Sequence, residues 1–153
     1  MKKLFVFMIL FAAFATELSA QVLKPVKWTI TYKKVSEGVY DIICKATVEA
    51  SWHLYDTKLP EGGPLSTSFN IDEEETSGIE LVGEFKATTQ PEVEYSEAFD
   101  MDLRYFTDTV TFVQRVKLTS ATAKIVGFVE FMAFTGGQCT PPAEADFEFE
   151  LKK

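Results

Sequence analysis

The sequence predicts an all-β domain, an immunoglobulin-like β-sandwich, on three observations. Apolar and polar residues alternate with a period of two through most of the chain. Clusters of turn-forming residues interrupt the alternating runs at short intervals. No segment beyond the N-terminal apolar run carries the spacing of a long amphipathic helix. Seven or eight short strands in about 130 residues fit an immunoglobulin-type sandwich, with a barrel as the alternative.

The elements follow in order. Val26 to Lys33 alternates, with Val26, Trp28, Ile30 and Tyr32 on one side. Ser36-Glu37-Gly38 is a turn. Val39 to Ala50 is a long strand whose Tyr40, Ile42, Cys44, Ala46 and Val48 share the apolar face. Pro60 to Pro64 is a turn cluster, and Leu65 to Ile71 reads as a strand. Glu73 to Gly78 is an acidic loop, followed by a short strand from Ile79 to Phe85. Ala87 to Ala98 is polar and contains Pro91, so it reads as a long surface loop. Phe99 to Phe106 carries no clear pattern. Val110 to Leu118 alternates, with Val110, Phe112, Gln114 and Val116 on one face. Ala123 to Phe134 reads as one apolar strand, Gly136-Gly137 as a turn, and Phe147, Phe149 and Leu151 mark the last strand.

The N-terminus has the pattern of an export signal. Lys2 and Lys3 precede an apolar run from Leu4 to Phe14, and Leu18-Ser19-Ala20 offers cleavage before Gln21. A membrane anchor needs roughly twenty apolar residues, and this run is shorter. The expected mature chain is therefore residues 21–153, one domain by size, placed in the periplasm or outside the cell. Removing Lys2, Lys3 and Glu17 takes the formal charge from -8 to -9. An acidic chain is a poor match for nucleic acid or anionic lipid, which favour basic patches.

Two cysteines, Cys44 and Cys139, and one histidine, His53, bound the chemistry. One histidine excludes a histidine-rich metal site. No cofactor is expected. Asp72-Glu73-Glu74-Glu75 lacks the spaced oxygen ligands and glycine of a calcium loop. Asp100, Asp102 and Asp108 give no specific pairing for glycoside chemistry. His53 has no Ser or Cys nucleophile near it in sequence, which leaves a hydrolase triad unsupported. Trp52, His53 and Tyr55 form an aromatic cluster, with His53 and Tyr55 on the face opposite Trp52 and Leu54. Cys44 sits mid-strand on the apolar face, where cysteine acts as a small hydrophobe. Cys139 follows a Gly-Gly turn and precedes Pro141-Pro142, a rigid and exposed placement with two readings: a thiol that meets another protein's disulfide, or a semi-buried loop cysteine with no role. A Cys44–Cys139 bridge is a further option, and it requires Cα atoms within about 7 Å.

Three stretches carry a resemblance: Val48-Glu49-Ala50-Ser51-Trp52-His53-Leu54-Tyr55, Gly62 to Phe69, and the Cys-Xaa-Pro-Pro run at Cys139, Pro141 and Pro142 with the strand after it. In order and spacing they resemble the N-terminal periplasmic domain of the thiol:disulfide interchange protein DsbD, the disulfide-bond-corrector family, over Val22 to Leu151. The resemblance implies an immunoglobulin-like fold and dithiol–disulfide exchange with envelope thioredoxin-fold partners. In that family two cysteines on a β-hairpin do the exchange under a cap loop with an aromatic residue. Here Cys139 matches the second cysteine, and Phe134 stands where the first should be. Phe99 matches the cap aromatic, and Glu97 the family's acidic neighbour. Two functions follow as expectations: thiol exchange through Cys139 alone, or a protein-binding module that has lost redox chemistry.

Overall fold

A computed structural model describes residues 22–153. The expected signal peptide and the expected mature start at Gln21 lie outside the described residues. Twelve strands build the described chain, more than the seven or eight expected. The surplus arises from short strands around the site, where breaks in the alternation hide the ends.

One sheet holds β1 (Val26–Ser36), β2 (Val39–Val48), β8 (Thr109–Leu118) and β5 (Ile79–Ala87), in the order β1-β2-β8-β5. A second holds β12 (Ala143–Lys152), β9 (Thr122–Phe131) and β4 (Ser68–Ile71). All the pairings are antiparallel. The inward faces meet as an immunoglobulin-like β-sandwich. Ile42, Cys44 and Ala46 of β2, Val110, Phe112 and Val116 of β8, and Ile125 and Val129 of β9 are buried in one core. Phe112 is fully buried and packs against Trp28, Phe85 and Phe106 at ring distances of 5.9, 5.4 and 5.5 Å. Burying a ring of this size stabilises the fold by about 2–3 kcal/mol. Tyr32, on the same side of β1 as Val26, Trp28 and Ile30, packs edge-on against Phe149 of β12 at 5.0 Å and stays partly exposed on this edge strand.

Two local devices hold the sheets in register. Gln114 is buried on the apolar face of β8 beside the irregularity in β5 between Val82 and Lys86. Its amide donates to the carbonyls of Val82, Gly83 and Arg115, at 3.4, 3.4 and 2.9 Å, which satisfies backbone groups freed by the bulge. At Gly127 a Cβ would stand 2.1 Å from the Asn70 carbonyl oxygen, so glycine is what lets β4 lie against β9.

The third sheet has the order β11-β10-β3-β7-β6 and forms one end of the molecule. It contains β3 (His53–Tyr55), β6 (Glu92–Ser96), β7 (Met101–Phe106), β10 (Ala133–Thr135) and β11 (Gln138–Cys139). Two expectations are corrected here. The presumed strand from Ala123 to Phe134 is two strands, because the chain leaves the sandwich at Met132 and joins another sheet. The presumed surface loop from Ala87 to Ala98 contains β6, paired along its whole length with β7. Pro91 lies just before β6 and disturbs no ladder hydrogen bond. Leu65 to Thr67 likewise precede the ladder, and that strand starts at Ser68.

Candidate functional site

The site is the face of the five-stranded sheet that carries Cys139, Phe134, Tyr55 and Tyr105. Gly136 and Gly137 have positive φ values of 26° and 102° and form a two-residue turn between β10 and β11. Left-handed backbone at both positions suits the twist of a tight hairpin, and glycine adopts it without a Cβ clash. That turn sets the register Thr135↔Gln138 and Phe134↔Cys139. Thr140 closes the base. Its N–H donates to the Ala133 carbonyl at 2.8 Å, and its hydroxyl oxygen accepts from the Ala133 N–H at 3.0 Å. Thr140 is itself buried, so the residue next to Cys139 is held firmly while Cys139 is exposed.

Cross-strand partners share a face of a sheet. Phe134 pairs with Cys139 on one side and His53 on the other, Tyr55 pairs with Tyr105, and Tyr105 pairs with Glu92. The face therefore carries a thiol at the β11 edge, aromatic rings across the middle and carboxylates at the β6 edge. Phe134 stacks on His53 and Tyr55, with centroids 4.7 and 4.5 Å apart, and meets Tyr105 edge-on at 5.5 Å. His53 Nδ1 lies 3.3 Å from the Phe134 carbonyl oxygen. A carbonyl only accepts, so in this contact the hydrogen is on Nδ1. Tyr55 is buried, and its carbonyl accepts a hydrogen bond from the buried Thr67 hydroxyl at 2.6 Å.

The Tyr55 hydroxyl lies 3.7 Å from Cys139 Sγ. Burial, and then the hydrogen bond and charge of Cys139, raise the Tyr55 phenol well above its ordinary value. The phenol stays protonated at physiological pH and keeps an O–H to direct at sulfur. Tyr105 is also raised, by burial first and then by Glu92 and Glu94.

A cavity of about 440 Å³ covers this face, lined by Cys139, Phe134, Tyr55, Tyr105, Phe99 and Glu94 among others. Phe99 reaches it from the tip of the β6–β7 hairpin. That tip is the turn 97–100, fixed by a positive φ of 53° at Asp100 and a hydrogen bond from the Tyr95 hydroxyl to the Asp100 carboxylate. Of the four residues singled out from sequence, Cys139, Phe134 and Phe99 thus line one cavity. Glu97 stands exposed in the same turn, while Glu94 is the carboxylate in the lining. Tyr105 and Glu94 were not singled out. Alternation through Glu92-Val93-Glu94-Tyr95-Ser96 was the available signal, masked by Pro91.

Cys44 is buried in the sandwich and pairs with Phe112 and Ile30, remote in topology from β11. Both cysteines are free, so the two thiols are not bridged. Burial raises the Cys44 thiol from 9.0 to about 12. Among the described residues no group of three or more His, Cys, Asp or Glu is arranged to hold a metal ion, and no helix is long and apolar enough to cross a membrane.

No protein-family model and no curated protein matches the sequence. Solved structures do match the fold. The reduced N-terminal domain of DsbD from Neisseria meningitidis aligns over 82% of this chain and 86% of its own, with a TM-score of 0.51 at 12% identity. The N-terminal periplasmic domain of ScsB from Proteus mirabilis aligns over 88% of this chain, with a TM-score of 0.57 at 15% identity. This chain spans about half of that ScsB structure, 49% of its length. The fold is thus similar to that of the N-terminal domains of DsbD and ScsB.

Proposed function

We propose that this chain is an exported domain of the cell envelope that engages thioredoxin-fold oxidoreductases and exchanges disulfides through Cys139 alone. The observation that carries the reading is the placement of Cys139. It is exposed on a rigid hairpin, inside an aromatic cavity and below the tip of a second hairpin. A thiol buried in the core would instead have favoured a module without redox chemistry.

The chemistry is a half-cycle. Cys139, as thiolate, attacks one sulfur of a partner's disulfide. A bond forms between Cys139 Sγ and that sulfur, the partner's S–S bond breaks, and its second sulfur leaves as a thiolate that takes up a proton. The same thiolate attacking back reverses the step. Phe134 supplies no thiol opposite Cys139, so resolution falls to the partner or to a third thiol. The domain would act as a docking and trapping element, with the electrons supplied and accepted elsewhere.

A specific observation supports the alternative of purely non-covalent binding: the position facing Cys139 is filled by a ring stacked on two others. Alkylation of the purified mature protein, native and then denatured, separates the two readings. The exchange reading expects one thiol labelled in the native state, identified as Cys139 by peptide mapping, and a second only after unfolding. If neither thiol reacts until the protein unfolds, exchange is ruled out and binding remains.

A further inference from the structure

The β6–β7 hairpin has two electrostatically different faces. Glu92 and Glu94 pair with Tyr105 and Leu103 and so lie on the face that carries Cys139 and Phe134. Val93 pairs with Arg104, which puts Arg104 on the opposite face, in a second groove that also holds Lys86, Asp56 and the Lys58–Glu84 ion pair. Among the described residues no lysine or arginine lines the Cys139 cavity, whose basic side chain is His53. Among the described residues Glu92 and Glu94 take part in no ion pair, and Glu92 accepts a hydrogen bond from the Thr107 hydroxyl at 3.5 Å. Beside Glu94 the same cavity presents Tyr95, Tyr105, Phe99 and Phe134. Aromatic rings next to an unpaired carboxylate attract a cation twice over, through the ring quadrupole and through charge.

We propose that the Cys139 cavity is built to receive a basic partner segment, one with lysine or arginine within a few residues of the cysteine that reacts. This rests on the exchange reading above and names the chemistry of its partner. Sheet strands are about 4.8 Å apart, so β11 and β6 are separated by about 19 Å, and an extended peptide of about six residues spans that width. A cysteine placed at Cys139 would then bring a cation three to six residues away over Tyr105 and Glu94. The partner's complementarity is to this face of the hairpin and not to the chain's overall negative charge.

The test uses short peptides whose single cysteine is activated as a 2-pyridyl disulfide, with lysine, glutamine or glutamate four residues from it. Cys139 attacks the peptide sulfur, a protein–peptide disulfide forms, and pyridine-2-thione leaves with its absorbance as the readout. At 0.15 M salt the general field is largely screened beyond about 8 Å. The lysine peptide is expected to react about tenfold faster than the glutamate peptide, since an exposed cation–π contact and an exposed ion pair each contribute a few-fold. The double variant Glu92→Gln/Glu94→Gln should reduce that ratio to about twofold by the same reckoning, while Glu73→Gln, in the acidic loop after β4, should leave it unchanged. Equal rates for the three peptides on the wild-type protein would overturn the charge preference and leave exchange standing. A preference that stays near tenfold in the double variant would overturn it too, because the general field would then be its source. If no peptide labels native Cys139, the exchange reading itself fails.

Discussion

Phe134 and Cys139 are direct cross-strand partners on either side of the Gly136-Gly137 turn, and Phe134 stacks on Tyr55, whose hydroxyl reaches the Cys139 sulfur. Side chains paired this way have Cα atoms roughly 4.5–5.5 Å apart, within the range a disulfide accepts. Phe134→Cys should therefore bridge to Cys139 on air oxidation without backbone rearrangement. Intact-mass measurement should show loss of two hydrogens, and the native thiol count should fall to zero. The loss of the ring from its stack on His53 and Tyr55 should lower stability in the reduced variant by about 1–3 kcal/mol.

Thr140 predicts a separate effect. Thr140→Val keeps the shape and removes the hydroxyl that accepts from the Ala133 N–H. A buried donor left without a partner costs about 1–3 kcal/mol. Hydrogen exchange at Ala133 should accelerate by at least tenfold, with little change in the β1–β2 ladder. Uniform acceleration across all three sheets would contradict a local role.

Phe99 should control access to the thiol. Phe99→Ala opens the cavity over Cys139 and leaves the hydrogen bond between Tyr95 and Asp100 in the hairpin tip intact. Native alkylation of Cys139 by a bulky maleimide should speed up several-fold, with the melting temperature nearly unchanged. An unaltered rate would mean that Phe99 does not shield the sulfur.

Cys44 predicts the alkaline limb of stability. Its thiol rises from 9.0 to about 12 on folding because burial disfavours the thiolate. Above pH 9 the unfolded chain loses this proton while the folded chain keeps it, so the proton count favours unfolding. The contribution is intact below pH 9 and is lost as pH rises toward 12. Cys44→Ala should flatten the decline between pH 9 and 11 in denaturant titrations, at the cost of some core packing at neutral pH. Tyr55 acts in the same direction, so a residual slope should persist.

Much of the fold was legible in the residues. The alternation in Val39 to Ala50 put Tyr40, Ile42 and Cys44 on one apolar face, that in Val110 to Leu118 put Phe112 and Val116 on one face, and all five are buried. His53 and Tyr55 were placed on one face, and both stack on Phe134. The short pieces were harder. β6 was hidden behind Pro91, and the break at Met132 is silent, because Phe131-Met132-Ala133-Phe134 is apolar throughout. A continuous apolar run does not say which sheet each residue joins.

By itself the sequence determined a two-layer β domain, a core cysteine, and a second cysteine exposed beyond a Gly-Gly turn. These follow from local physics: the two-residue period of a strand and the backbone freedom of glycine. The tertiary structure alone decided that Phe134 meets Tyr55, that Phe99 covers the same cavity, and that Glu94 stands within it. Those residues come from three segments far apart in the chain, with Glu94 and Phe99 sharing the β6–β7 hairpin. Their meeting depends on which strand edges pair, and pairing is selected by the burial of the whole core, which no local stretch of sequence records.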